Sequence, residues 1–158
     1  GDYIMGSQNT VLIKGDPMNK EYTAGGTITP GMLIAVGSAG TVAVHATAGG
    51  IAQKMFAKED DLQGRSITDT YDATTNKQVQ CLVCPTGTEI NAKIANGEAI
   101  AIGDYLVSNG DGYLKEYTAA DSAGADLEEF PIAIALEACD MSSSSSLDPS
   151  DRCIVEIL

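Results

Sequence analysis

Tyr105-Leu106-Val107-Ser108-Asn109-Gly110-Asp111-Gly112-Tyr113-Leu114-Lys115-Glu116-Tyr117 is the stretch that decides the fold. Two short runs rich in aromatic and branched residues flank Asn-Gly-Asp-Gly. Those four residues tolerate the left-handed backbone a tight hairpin turn demands. Upstream, Gly103-Asp104 turns the apolar Ala99–Ile102 into this hairpin, and Asn96-Gly97 stops an extended segment running from Thr88 to Ala95. Before that, Lys77–Cys84 alternates, with Val79, Cys81 and Val83 on one face, and Pro85-Thr86-Gly87 ends it. A second hairpin stands earlier still: Met32–Val36, a turn at Gly37-Ser38-Ala39-Gly40, and a return over Thr41–His45. Ala48-Gly49-Gly50 then leads into a strand over Ile51–Lys58, with Met55 and Ala57 facing the core. Downstream, Ile132–Leu136 and Cys153–Leu158 read as buried strands. Turn signals spaced about ten residues apart indicate an all-β sandwich or barrel and argue against βαβ units. Ser66-Ile67-Thr68-Asp69 has the form of a weak capping box, so the one short helical turn is expected between there and Thr74. No internal repeat is visible.

Charge sets further bounds. Nine basic residues against 22 acidic give a net charge of −13 over 158 residues. Such a chain is repelled by phosphate backbones and by anionic membranes, so neither nucleic acid nor a membrane is an expected partner. No apolar run approaches the length needed to span a bilayer, and no secretory signal opens the chain, so a cytoplasmic site of synthesis is expected. With no tryptophan and two phenylalanines, the core must rest on aliphatic residues and methionine.

Residues 1–20 differ from the rest. Two apolar groups, Tyr3-Ile4-Met5 and Val11-Leu12-Ile13, are interrupted by Gly6, Gly15 and Pro17. Such breaks prevent a long internal strand. The segment reads as an extended N-terminal arm, with residues 21–158 forming a single barrel-like domain. Tyr3, Ile4, Met5, Val11, Leu12 and Ile13 are the candidate partner-binding residues, since short apolar groups need a surface to lie on. The triplet Val11-Leu12-Ile13 also reads as the first strand of the barrel itself. Residues 118–129 form an acidic loop, and 141–151, with five consecutive serines, a polar one.

Catalytic patterns are missing. The one histidine, His45, has no neighbouring nucleophile or carboxylate in sequence, and no nucleophile elbow, Walker loop or dinucleotide fingerprint occurs. No catalytic, cofactor-binding or metal-binding residue is expected, and the chain reads as a non-enzyme. Asn109-Gly110-Asp111-Gly112 lacks the ligand run of a calcium loop. Gly97–Leu106 has the cadence of a lipoyl or biotinyl carrier domain, yet the hairpin tip that should bear the lysine has none. Cys81 and Cys84 have zinc or redox spacing, but residues three apart in a strand point to opposite faces. All four cysteines, with Cys139 and Cys153, are expected to be reduced, metal-free and buried as small hydrophobes.

Phe56-Ala57-Lys58-Glu59-Asp60-Asp61-Leu62-Gln63-Gly64-Arg65-Ser66-Ile67-Thr68-Asp69-Thr70-Tyr71 resembles a segment of the head decoration (capsid cement) proteins of tailed bacteriophages. There a strand ending in an acidic pair precedes L-x-G-x-x-I-x-x-x-Y and a valine strand. Leu62, Gly64, Ile67, Tyr71 and Val79 fill those places, and Gly97-Glu98, Gly103–Leu106 and Gly110-Asp111-Gly112 follow the same cadence. The resemblance covers residues 28–117, and Ala73–Lys77 is longer than the pattern there. It implies a small β-barrel or β-tulip-like sandwich of short antiparallel strands. It also implies homotrimers at three-fold sites of a virion's outer surface, clamping neighbouring major capsid protein subunits. Three copies carry −39, three times −13, so the acidic stretches 121–129 and 148–151 should face away from the shared axis. The competing reading is a carbohydrate-binding or other ligand-binding β-domain, such as a virion adhesin. Six tyrosines and no tryptophan offer that reading little for sugar stacking.

Overall fold

The computed structural model describes residues 10–118, 128–143 and 151–158. The fold is all-β and sandwich-like, with antiparallel sheets and, among the described residues, no closed barrel. One sheet runs β2 (Met18–Thr23), β6 (Gln78–Val83), β5 (Met55–Lys58), β3 (Leu33–Val36) and β4 (Val42–Val44). The other runs β1 (Leu12–Lys14), β7 (Glu89–Lys93), β13 (Arg152–Ile157), β11 (Ala133–Ala135), β9 (Tyr105–Ser108) and β10 (Leu114–Glu116). A two-stranded ladder joins β8 (Ala99–Ile100) to β12 (Cys139–Asp140).

Three sequence expectations are corrected here. Residues 11–20 are not arm. Val11 is fully buried, β1 pairs with β7, and β2 pairs with β6 along its whole length. Once a flanking ladder is open, even a triplet interrupted by Gly15 and Pro17 satisfies its backbone groups better there than in water. The helical turn lies earlier than expected, as one 3-10 turn over Asp61–Gln63. Asp69 does accept the Ser66 amide hydrogen bond at 2.7 Å, yet that contact closes an isolated turn and no helix follows. The expected strand from Ile51 begins only at Met55, and Ile51 is exposed.

The fourth correction is the largest: the chain contains a structural repeat. Strands β2, β3, β4, β5 and β6 are ordered β2-β6-β5-β3-β4, and β7, β9, β10, β11 and β13 are ordered β7-β13-β11-β9-β10. Taken in chain order, the two sets have the same neighbours throughout. Registers agree to the residue. Leu33 opposite Phe56 becomes Tyr105 opposite Ile134, and Ala57 opposite Cys81 becomes Ala135 opposite Val155. A parallel bridge draws the edges of each sheet together, Ala24 to Val42 in the first unit and Ile94 to Leu114 in the second. The antiparallel bridge between Ile28 and Tyr71 takes the place of the ladder between β8 and β12. Single hydrogen bonds correspond as well. The Gly31 amide donates to the Ala57 carbonyl at 2.8 Å, as Gly103 does to Ala135 at 2.9 Å. Gly37 donates to Thr41 at 2.8 Å, as Asn109 does to Tyr113 at 2.9 Å.

By these registers Gly31–Val42 corresponds to Gly103–Leu114 without a gap, and only two residues are shared, both glycines. Their backbones explain why. Gly31 and Gly103 have φ of 93° and 90°, Gly40 and Gly112 of 78° and 88°. Side chains rarely adopt that conformation, so it is the only chemistry the two hairpins must have in common.

Two cores follow. The smaller lies inside the first unit and holds Ala24, Ile34, Val42, Met55, Ala57, Val79 and Cys81. The counterparts of these seven, namely Ile94, Leu106, Leu114, Ala133, Ala135, Cys153 and Val155, all belong to the larger core. That core also takes Leu33, Phe56 and Leu82 from the other face of the first unit's sheet. A sheet buried on both faces needs apolar residues at successive positions, which is why Met32–Val36 reads as an unbroken run.

Candidate functional site

Where the N-terminal segment joins the body, the larger core is bordered by a seam of buried charge. Glu59 and Asp60 follow β5 directly and are almost fully buried. The Glu59 carboxylate (Oε2) accepts the Val11 amide hydrogen bond at 2.9 Å, which fixes the entry of the segment. Arg152, at the start of β13, donates through Nη1 to the Pro30 carbonyl at 2.7 Å and through Nη2 to the Ile67 carbonyl at 3.0 Å. Burial lowers its pKa, and the charges of Asp151 and Glu59 oppose that shift. Lys93, on β7, forms an ion pair with Asp151 inside the protein, and its ammonium lies 5.6 Å from the centre of the Tyr113 ring. Neither charge of that pair could stay buried alone. The Tyr71 hydroxyl donates to the Lys58 carbonyl, and burial pushes its pKa well above the ordinary phenol value.

Outside this seam lies an open cleft of about 480 Å³ lined by Thr10, Glu59, Asp61, Gly64, Arg65 and Ser66. It presents two carboxylates and one guanidinium beside Thr10, the first described residue of the N-terminal segment. Its lining holds no nucleophile and base in hydrogen-bond contact. A smaller cleft of about 160 Å³ borders Asn109 and Asp111. There the Asp111 carboxylate accepts from the Asn109 side-chain amide at 3.1 Å and from the Tyr113 amide at 3.2 Å, so it braces the hairpin turn.

The structure brings His45 a partner that the sequence did not suggest. His45 Nε2 lies 2.9 Å from the Ile51 carbonyl, which can only accept, so that nitrogen carries the proton. Nδ1 then accepts from the Ser108 hydroxyl at 2.7 Å, and Ser108 Oγ accepts the Gly110 amide at 3.1 Å. Both side chains are buried, and neither lines either cleft. The pair ties the end of one unit's hairpin to the strand of the other.

The cysteines divide. Cys81 packs in the smaller core and Cys84 in the larger, on opposite faces as the strand period requires. Burial pushes both thiols up to about 12, so they stay protonated and poorly nucleophilic at neutral pH. The expectation that Cys139 and Cys153 are reduced is overturned, because they form a disulfide with Cα atoms 6.1 Å apart. The turn from β11 into β12 returns Cys139 to the flank of β13, a proximity no sequence spacing encodes. The carboxylate of Glu137 lies against both sulfurs and accepts the Ile154 amide at 3.0 Å. Bonded to each other, those sulfurs are not thiolate ligands.

Of the six candidate binding residues, Tyr3, Ile4 and Met5 lie outside the described residues, as do most of the loops at 118–129 and 141–151. Val11 is core, and Leu12 and Ile13 are half-buried. These three hold the segment to its own body. In sequence Glu59, Asp60 and Asp61 read as a solvated charge run and Asp151 as the end of an outward-facing acidic stretch, but Glu59, Asp60 and Asp151 are buried because each lies beside a core strand. Lys93 and Arg152 were missed, and their only sequence signal is charge placed beside strands of a core. Comparison with protein-family models and with curated proteins finds no match to this chain.

Proposed function

We propose that this chain is a non-catalytic structural module that binds the outside of a phage capsid as a homotrimer and clamps major capsid protein subunits together. The observation that carries this reading is the resemblance of Phe56–Tyr71 to capsid decoration proteins. Two features of the body support it. Four of the five positions that carry the resemblance are structural: Ile67 and Val79 are core, Tyr71 is the largest fully buried side chain among the described residues, and Gly64 takes the left-handed cap of the 3-10 turn, while the fifth, Leu62, is 83% exposed. The N-terminal segment is also anchored at Val11 by a buried carboxylate, and Tyr3, Ile4 and Met5 precede that anchor in the chain. A module of this kind needs no reaction, since bridging subunits stabilises a shell through interface area and avidity. The test is deletion of residues 1–8, followed by thermal melting and titration of undecorated capsids. Melting should stay within about 4–8 °C of the parent while capsid binding weakens sharply. Undiminished binding by the truncated chain contradicts the assigned role of Tyr3, Ile4 and Met5.

A further inference from the structure

We infer that this chain assembles with copies of itself head to tail, the second unit of one copy docking on the first unit of the next. The internal repeat carries the inference. Across the first unit's sheet, the row His45, Leu33, Phe56 and Leu82 is buried. The same row in the second unit is Tyr117, Tyr105, Ile134 and Glu156. Its register is identical, down to the Tyr117 amide donating to Tyr105 at 2.8 Å as His45 donates to Leu33 at 2.9 Å. Here the described chain covers it only in part, with Ile134 and Glu156 half-buried. Tyr105 is 48% exposed and Tyr117 37%, and beside them Leu136 is 38% and Ile102 70% exposed. Leu136 and Ile102 stand where the first unit has Lys58 and the buried Pro30.

The opposite side shows the complementary gap. Met18 and Val83 pair on the inner face of the first unit, with Tyr22 further along β2. Met18 is 61% exposed, and Tyr22 and Val83 are only half-buried. Their counterparts in the second unit, Thr88, Ile157 and Ala92, are all buried. Thus the first unit has its outer row covered and its inner rim open, and the second unit has the reverse. A join between unlike faces leaves one of each unsatisfied, which a second copy can satisfy.

Charge selects the same mode. Residues 18–83 hold six acidic and five basic side chains, and residues 84–158 hold fourteen and three. A contact between two second units sets net −11 against −11, whereas head to tail sets −11 against −1. Unlike-face contacts either close into rings or run on as filaments, and a ring of fixed size is the expected form here. The inference rests on the repeat and not on the capsid reading. An assembled ring that ignores capsids removes only the capsid reading. A monomer that binds capsids removes this one and the homotrimer of the capsid reading, and leaves capsid binding itself standing.

Sedimentation velocity tests it on the full chain. The parent should run as one discrete species larger than a single chain. Tyr105→Glu with Leu136→Glu, and separately Met18→Glu, should each run as folded monomers that unfold in one cooperative transition, at or below the parent's melting temperature because assembly no longer stabilises them. Mixed together, these two variants should form a 1:1 heterodimer, because each keeps the face the other has lost. Should the double variant unfold, Ile102→Lys beside that row carries the same expectation. A parent that is monomeric at every concentration overturns the inference. So do variants that assemble as the parent does, or a mixture that stays monomeric, as a contact between like faces requires.

Discussion

The two units share one ladder and almost no sequence, and they are held together differently. In the first, a fully buried tyrosine, Tyr71, fills the position opposite Ile28, and two free thiols face opposite ways, Cys81 within β6 and Cys84 just past its end. In the second, Cys139 stands opposite Ile100 in the place of Tyr71, and it is bonded to Cys153, the counterpart of Val79. The outer rows differ most: buried aliphatic and aromatic residues in one unit, exposed tyrosines and a glutamate in the other. Topology therefore does not decide which face is core. What decides it is whether another unit lies on that face, and the side chains follow.

The strongest way to break this comparison is to truncate the same position in both units. Phe56→Ala removes a fully buried ring from the join and should cost about 3–5 kcal/mol in urea unfolding. Ile134→Ala, its half-exposed counterpart, should cost about 1 kcal/mol. Equal losses would mean that the outer rows are not differently covered.

A smaller effect separates the two staples. Replacing Cys139 and Cys153 with serine, or reducing them, opens a loop whose ends are 14 residues apart and should cost about 3 kcal/mol. Tyr71→Phe loses only the hydroxyl's hydrogen bond to Lys58 and should cost about 1–2 kcal/mol. A double serine variant as stable as the parent would show that the disulfide adds nothing the ladder does not supply.

The smallest effect is a pH dependence confined to the thiols of the first unit's sheet. Cys81 and Cys84 are pushed from 9.0 up to about 12, so above pH 9 the unfolded thiols ionise while the folded ones do not. Unfolding then releases protons, and the stability conferred by the buried neutral thiols, fully present below pH 9, is lost as pH rises toward 12. The urea midpoint should fall between pH 8 and pH 10, and Cys81→Ala with Cys84→Ala should flatten that fall. An unchanged slope in the variant would assign the alkaline loss elsewhere.

Much of the body was legible in the sequence for local reasons. The hairpin at Asn109–Gly112 and the alternation of Val79, Cys81 and Val83 depend on turn chemistry and a period of two, which neighbouring residues carry. The opposite facing of Cys81 and Cys84 followed from the same period. The repeat was not legible, because a β-ladder constrains backbone and burial but few identities, and only the two positive-φ glycines had to match. The seam was hidden for another reason. Lys93 ends β7 and Asp151 immediately precedes β13, and the pairing of β13 with β7 makes them neighbours, a long-range register that composition does not report. The N-terminal segment misled because its glycine and proline do break strands, yet three residues between breaks suffice when a ladder is waiting.

Cryo-electron microscopy of capsids incubated with the full chain tests the central claim most directly. The account predicts density for the two-unit β body on the outer surface, in three copies around three-fold positions, with residues before Val11 running onto a neighbouring capsid subunit. Bare three-fold positions at saturating protein would contradict it.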